Sequence, residues 1–170
     1  MKLATWNVNS LNVRLQHVLE WLEAEKPDVL CLQETKQEDN KFPYDALKDV
    51  GYNAVHNGQK TYNGVAILSP HAIENPAFDI PGFEDTQKRL VSADINGIRI
   101  VCAYIPNGQS LESEKYRYKL DWLQALTNHL ADALKQYPRL ALLGDYNIAP
   151  EDRDVHDPKA WEGQVLVSEP

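Results

Sequence analysis

Positive charge is the first shortage. The 170 residues carry 17 Lys and Arg against 25 Asp and Glu, a formal net charge of −8. That balance argues against a protein that grips nucleic acid by bulk attraction, because phosphate binding draws on clusters of cations. It leaves room for a local basic surface. Lys115-Tyr116-Arg117-Tyr118-Lys119 interleaves cations with aromatics, and Arg14, Lys60, Lys88 and Arg89 lie near other loops or strand entries; such a run is more often one solvated helix face. Cysteine is scarce too. Cys31 and Cys102 both fall inside apolar strand runs, where a thiol behaves as a small buried hydrophobe. A disulfide framework is thereby excluded and a reducing, cytoplasmic compartment expected. No His/Cys cluster has zinc spacing. Long apolar runs are also missing: nothing approaches a bilayer span, and Met1 leads into a strand pattern without the charged and apolar regions of an export signal. The expectation is a soluble, unexported protein without membrane contact.

The hydrophobic content, 43%, suffices for the core of one domain, and the chain length suits one. Leu15, Val18, Leu19 and Leu22 follow helical spacing, with Pro27 as the stop before an apolar strand, Val29 to Leu32. A strand at Lys2 to Thr5 precedes that helix, so the chain opens as strand, helix, strand. Such a crossover returns the chain in the same direction and sends both strand ends to one rim. A short helix is predicted over Tyr44 to Val50, with strands at Tyr52 to His56 and Gly64 to Leu68. Pro70, Pro76 and Pro81 make the next segment irregular. Asn96-Gly97, between Ser92 to Ile95 and Ile98 to Val101, is a hairpin signal because both turn positions want positive φ. Tyr116, Leu120, Leu123, Leu130, Leu134 and Tyr137 mark a long helix from about Ser113 to Gln136, ended by Pro138. Strand Arg139 to Leu143 follows, and beyond Pro150 the pattern reads as loop. These elements give an α/β (α+β) fold of mixed sheets flanked by helices.

Four apolar runs end in oxygen- and nitrogen-bearing side chains. They lead into Trp6-Asn7-Val8-Asn9, Gln33-Glu34-Thr35-Lys36, Tyr104-Ile105-Pro106-Asn107 and Gly144-Asp145-Tyr146-Asn147. Open α/β sheets place ligand sites at such strand ends. Hard divalent cations want oxygen ligands, and Mg²⁺ commonly takes one or two carboxylates plus waters and phosphate oxygens. Glu34, Asp145, Asn7, Asn9 and Asn147 meet that need. Any one of them alone reads as a turn residue or helix cap; together they read as a site.

In that order, and with Asn63-Gly64-Val65-Ala66 between the second and third, these motifs resemble the exonuclease III type of abasic-site endonuclease, of the endonuclease/exonuclease/phosphatase superfamily. The resemblance runs through nearly the whole chain. It implies the four-layer α/β sandwich of the DNase I-like fold and a DNA-repair nuclease dependent on Mg²⁺ or Mn²⁺. The implied substrate is double-stranded DNA, cut at abasic sites and from 3′ ends. It also implies that Glu34 binds the metal and that Asn7, with Asn9 beside it, helps hold metal or phosphate. Asp145 would position and activate the attacking water, while Asn147 and Tyr104 would orient and stabilise the phosphate. Lys36, Asn107 and Arg117 join Asn7 as expected substrate contacts, and Trp161 as an anchor for the loop over the site.

The departures point elsewhere. Members of this family close the site with a late Ser-Asp-His segment and another late-chain Asp, and none of the five histidines here follows a Ser-Asp pair. The chain therefore resembles an N-terminal portion, a single domain over 1–170 lacking its C-terminal part, of an enzyme expected to be monomeric when complete. Another phosphoesterase of the superfamily and a non-catalytic DNA-binding fragment are the alternatives.

Overall fold

The computed structural model describes residues 1–168. In chain order the elements are β1 (Leu3–Asn7), α1 (Leu11–Glu25), β2 (Val29–Gln33), α2 (Tyr44–Asp49), β3 (Asn53–Asn57), β4 (Val65–Ser69), β5 (Glu74–Phe78), β6 (Leu90–Ile95), β7 (Ile98–Tyr104), α3 (Glu114–Gln136), β8 (Leu140–Asp145) and α4 (Pro158–Trp161). Two strand-helix-strand units dictate the layout. The first, β1-α1-β2, pairs its strands in parallel from Leu3 opposite Val29 to Asn7 opposite Gln33. The second, β7-α3-β8, pairs from Arg99 opposite Leu140 to Tyr104 opposite Asp145.

Antiparallel strands complete two four-stranded mixed sheets, ordered β1-β2-β4-β3 and β5-β6-β7-β8. Alternation along each strand sends successive side chains to opposite faces. Leu30 and Leu32 of β2 thus pack with Val18 and Leu22 of α1, while Val29 and Cys31 join Val91, Ile100 and Cys102 between the sheets. Val101 and Ala103 of β7 face Trp122 and Leu126 of α3. The layers are helix, sheet, sheet, helix, the four-layer sandwich expected of a DNase I-like fold. Each fully buried Leu or Val contributes about 1.5–3 kcal/mol. Both cysteines are buried and unpaired in the middle layer.

The helix ends follow local chemistry. Ser113 accepts the Tyr116 N–H at the start of α3, and Lys26, at φ 47°, donates its N–H to Leu22 at the end of α1. The Asn96-Gly97 hairpin forms with φ 50° and 73°.

Three expectations are corrected. The segment around Pro76 is not wholly irregular: it forms β5, an exposed edge strand whose register shifts between Glu74 and Ala77. An edge with a bulge is where a sheet tolerates proline. The stretch beyond Pro150 is not all loop. It holds a 3₁₀ turn at Asp152–Asp154 and the one-turn α4, whose cap Asp157 accepts from Lys159 and Ala160 N–H ahead of Pro158. Finally, β1 and β8 each run two residues further than their apolar runs, because the parallel partner keeps pairing. Asn7 and Asp145 are thus the last residues of strands. Among the described residues no helix is long and apolar enough to cross a membrane.

Candidate active site

The edge strands β1 and β8 lie close to each other across the two sheets, so the two parallel units release their polar ends at one place. Asn7 Nδ2 donates to Glu34 Oε1 and to Asp145 Oδ2, both at 2.8 Å. Its Oδ1 accepts the Asn9 N–H at 3.0 Å, which fixes which end of the amide faces the carboxylates. Tyr104 Oη donates to the same Glu34 oxygen at 2.9 Å, and Lys36 Nζ reaches Glu34 Oε2 at 2.9 Å. Burial pushes the Glu34 carboxyl up, but the bonds from Asn7, Lys36 and Tyr104 outweigh it and hold Glu34 below the ordinary value. Burial, reinforced by the bond to Glu34, pushes the Tyr104 phenol up to about 12. Tyr104 is a donor throughout the neutral range.

Asp145 is fixed from its second oxygen as well, by the Asn147 N–H at 3.1 Å. Asn147 Nδ2 donates to Ile105 O at 2.9 Å, and its Oδ1 accepts from Asn107 Nδ2 at 3.2 Å. Tyr104 lies under the Arg89 guanidinium, 4.6 Å from ring centre to Cζ, and Arg89 also donates to the Tyr104 carbonyl.

The backbone carrying these groups is strained. Asn9, Ser10, Glu34, Lys36 and Asn147 all have positive φ, a conformation that costs of order 1–3 kcal/mol per residue and persists only where surroundings enforce it. Here main-chain bonds do so: Ser10 N to Glu34 O at 2.7 Å, Thr35 N to Gly64 O at 3.2 Å and Lys36 N to Asn63 O at 2.9 Å. Gly64 is required at this point. It has φ 89°, and a Cβ there would meet Thr35 Oγ1 at 2.1 Å.

A cleft of about 620 Å³ opens beside Asp145, lined by Thr5, Asn7, Gln33, Asn147, His156 and Trp161 among others. Asp145 lends carboxylate oxygens to the cleft, the donor type a hard cation takes, while the Asn7 amide turns its nitrogen and not its oxygen to the carboxylates. Among the described residues no group of three His, Cys, Asp or Glu is placed to hold a metal ion.

The structure therefore gathers Asn7, Glu34, Lys36, Tyr104, Asn107, Asp145 and Asn147 into one bonded cluster, with Trp161 on its cleft. Asn9 stands apart from the carboxylates, its Oδ1 taken by Lys36 Nζ at 2.5 Å. Arg117 also stands apart, exposed on α3 with a 3.9 Å approach to Glu114 as its only ion pair among the described residues. The basic run is split rather than presented as one face: Tyr116 bonds Ser168, Tyr118 bonds Asp85, and Lys119 is buried. Buried polar groups under the site were missed. Gln33 bonds Thr5 and Cys102, and Thr35 bonds His56. A glutamine directly continuing the apolar run Val29 to Leu32 was the available signal for the first.

Residues 4–164 match the model of the Endonuclease/Exonuclease/phosphatase family. The chain belongs to this family. It is 33% identical to exodeoxyribonuclease III of Haemophilus influenzae over 164 residues, 91% of this chain and 60% of that one. Its fold matches the 3′-5′ exonuclease NExo of Neisseria meningitidis with a TM-score of 0.97 and 45% identity, over 99% of this chain and 66% of that one. A variant of the 3′ phosphatase NExo from Neisseria, bound to a product DNA hairpin, matches with a TM-score of 0.93 and 46% identity over 95% of this chain and 63% of that one. An AP endonuclease of Archaeoglobus fulgidus matches with a TM-score of 0.95 and 41% identity, over 99% and 66%. The chain thus spans about 60% of its Haemophilus relative.

Proposed function

We propose that this chain carries the catalytic cluster of a divalent-metal-dependent DNA-repair nuclease that hydrolyses phosphodiesters at abasic sites and from 3′ ends. One observation carries the reading: a single amide, Asn7, joins Glu34 to Asp145 while Tyr104 donates to Glu34. The similarity to exodeoxyribonuclease III, NExo and an AP endonuclease supports DNA as the substrate class.

Hydrolysis needs a water aimed at phosphorus, a base for its proton, and donors for the charge that builds on the phosphoryl oxygens. Asp145 is the base. Both its oxygens are held by Asn7 and Asn147, so its direction is fixed before substrate arrives. The water oxygen bonds to phosphorus, its proton passes to Asp145, and the bond to the leaving sugar oxygen breaks. Tyr104, Asn147 and Asn107 line the phosphate's position, and Lys36 faces the DNA backbone. Glu34, helped by Asn7, would hold Mg²⁺ or Mn²⁺, which supplies positive charge to the phosphoryl and leaving oxygens when bound.

The test uses the full-length natural protein on duplexes bearing an abasic site, a recessed 3′ end or a 3′-phosphate, with and without Mg²⁺. Metal-dependent cleavage of the first two supports the reading. Asp145→Asn should abolish nearly all turnover and leave DNA binding intact, since it removes the proton acceptor and keeps the shape. Near-normal cleavage by that variant would remove Asp145 from the role. Activity confined to the 3′-phosphate, or to non-nucleic phosphate esters, would favour a phosphatase of the same family.

A further inference from the structure

Lys119 is 3% exposed and has no part in the chemistry above. It lies on α3, the helix that joins the two strands bearing Tyr104 and Asp145. Its ammonium donates to three main-chain carbonyls: Asn147 at 2.7 Å, Asn107 at 3.3 Å and Val165 at 3.4 Å. Burial moves its pKa downward. Among the described residues no carboxylate pairs with it, and an ammonium buried on carbonyls alone is costly. Stability is therefore a poor reason for a lysine here.

The three carbonyls supply a better one. Asn107 belongs to the loop after β7, Asn147 to the loop after β8, and Val165 to the segment that closes over both. Asn147 is held at φ 48° while its N–H orients Asp145 Oδ1 and its side chain bonds Ile105 and Asn107. The approach is tight. A Cβ on Gly108, at φ 96°, would meet Val165 Cγ2 at 2.9 Å and Lys119 Cδ at 3.2 Å, so the loop folds directly onto the lysine stem.

We propose that Lys119 is a positioning residue, a buried cationic clamp that locks the loop after β7 to the loop after β8 and so sets the aim of Asn147 and Asp145. The proposal rests on the nuclease reading of that site. Hydrogen bonds from a charged group are worth more than neutral ones, and a misplacement of about 1 Å at a reacting group can cost roughly 100-fold in rate.

The experiment compares Lys119→Met, Lys119→Arg and a destabilised control on the same helix, Leu126→Ala, in the full-length natural protein. Met keeps length and removes charge. The clamp predicts that Lys119→Met lowers kcat about 10- to 100-fold with KM for DNA within about twofold. Lys119→Arg should recover part of the loss, and Leu126→Ala should keep its kcat. Amide hydrogen exchange gives a readout that needs no turnover: in Lys119→Met the Asn147 N–H should exchange at least about 10-fold faster while amides in the middle of α3 keep their rates. Unchanged kcat and unchanged exchange at Asn147 would overturn the clamp. A kcat loss in Leu126→Ala equal to that in Lys119→Met would overturn it as well, leaving plain stability as the cause. A wild-type protein silent on every DNA substrate would overturn the nuclease reading instead, and the exchange result would still decide whether Lys119 holds the loops.

Discussion

Asn7 and Asp145, 138 residues apart in the chain, are joined by a 2.8 Å hydrogen bond between the last residues of two edge strands that belong to different sheets. The same amide nitrogen holds Glu34. Two carboxylates brought to one place repel, and an amide that donates to both offsets that repulsion while leaving their remaining oxygens for other partners. The relationship links fold to chemistry directly. It exists only because each sheet places its parallel pair at the same side of the sandwich.

Replacing Glu34 with Gln is expected to weaken the metal dependence of the complete protein without unfolding it. The amide keeps the size and one acceptor oxygen for Asn7 and Tyr104 but loses the charge that attracts a cation. The Mg²⁺ concentration for half-maximal activity should rise at least about 10-fold, the loss common when even an outer partner of a metal site is removed. An unchanged Mg²⁺ titration with normal folding would take Glu34 out of the metal site.

Gly144 is expected to tolerate no side chain. A Cβ there would meet the Ala103 carbonyl oxygen at 1.9 Å and the Ala103 carbonyl carbon at 2.9 Å, both backbone atoms of the paired strand β7. Neither can swing aside. Gly144→Ala should therefore force β8 off β7 and cost about 3 kcal/mol or more, read as a lower urea midpoint. It should also disturb Tyr104 opposite Asp145, so activity should fall further than a stability loss of that size explains. A midpoint within error of the wild type would show that the strands part freely here.

The parts legible in the sequence were those set by short-range rules. Pro27 and Pro138 stopped two helices, Asn96-Gly97 turned a hairpin, and polar residues at the ends of apolar runs marked the rim. Tertiary pairing was not legible in the same way. Pro76 argued against a strand, yet an exposed edge with a bulge accepted it. Lys119 stood in a run of cations and aromatics that reads as a wet helix face. Its burial follows from where two loops and Val165 happen to close, which helical spacing does not report. Arg117, two residues earlier, points to solvent for the same reason: on α3 neighbours two apart face different surroundings.

Stability should fall in acid because of His56. Its ring is fully buried against Phe42, with Nε2 2.8 Å from Thr35 Oγ1. Nδ1 lies 2.8 Å from Asp39 Oδ1. Burial lowers its pKa to about 4, against the opposing pull of Asp39. The folded value is thus depressed below the unfolded one. The contribution is present above about pH 6.5 and is lost as pH falls toward 4, at most about 3 kcal/mol. Urea unfolding between pH 7 and 4 should show this limb, and His56→Phe should flatten it. A limb of equal depth in the variant would assign acid lability to other groups.

A polypeptide of residues 1–170 made by itself is expected to self-associate and to show little or no incision of abasic DNA. Among the described residues β8 has β7 on one side and no strand on the other. All six of its residues are partly exposed, although Leu140, Ala141, Leu142 and Leu143 are apolar. Tyr146 and Ile148 continue the apolar surface, each 41% exposed. An unpaired apolar edge templates pairing with another chain, and a wide exposed apolar patch favours association. Activity should suffer for a separate reason. The cleft beside Asp145 is lined by Gly144 to Ile148 at the end of that edge, and water entering there weakens the hydrogen bonds that Asn7 and Tyr104 donate. Sedimentation velocity at several concentrations tests the first half, and a fluorescent abasic duplex with Mg²⁺ tests the second. A polypeptide that sediments as a stable monomer and cuts as fast as the full-length natural protein would show that the edge needs no cover and that the site is complete on these two sheets.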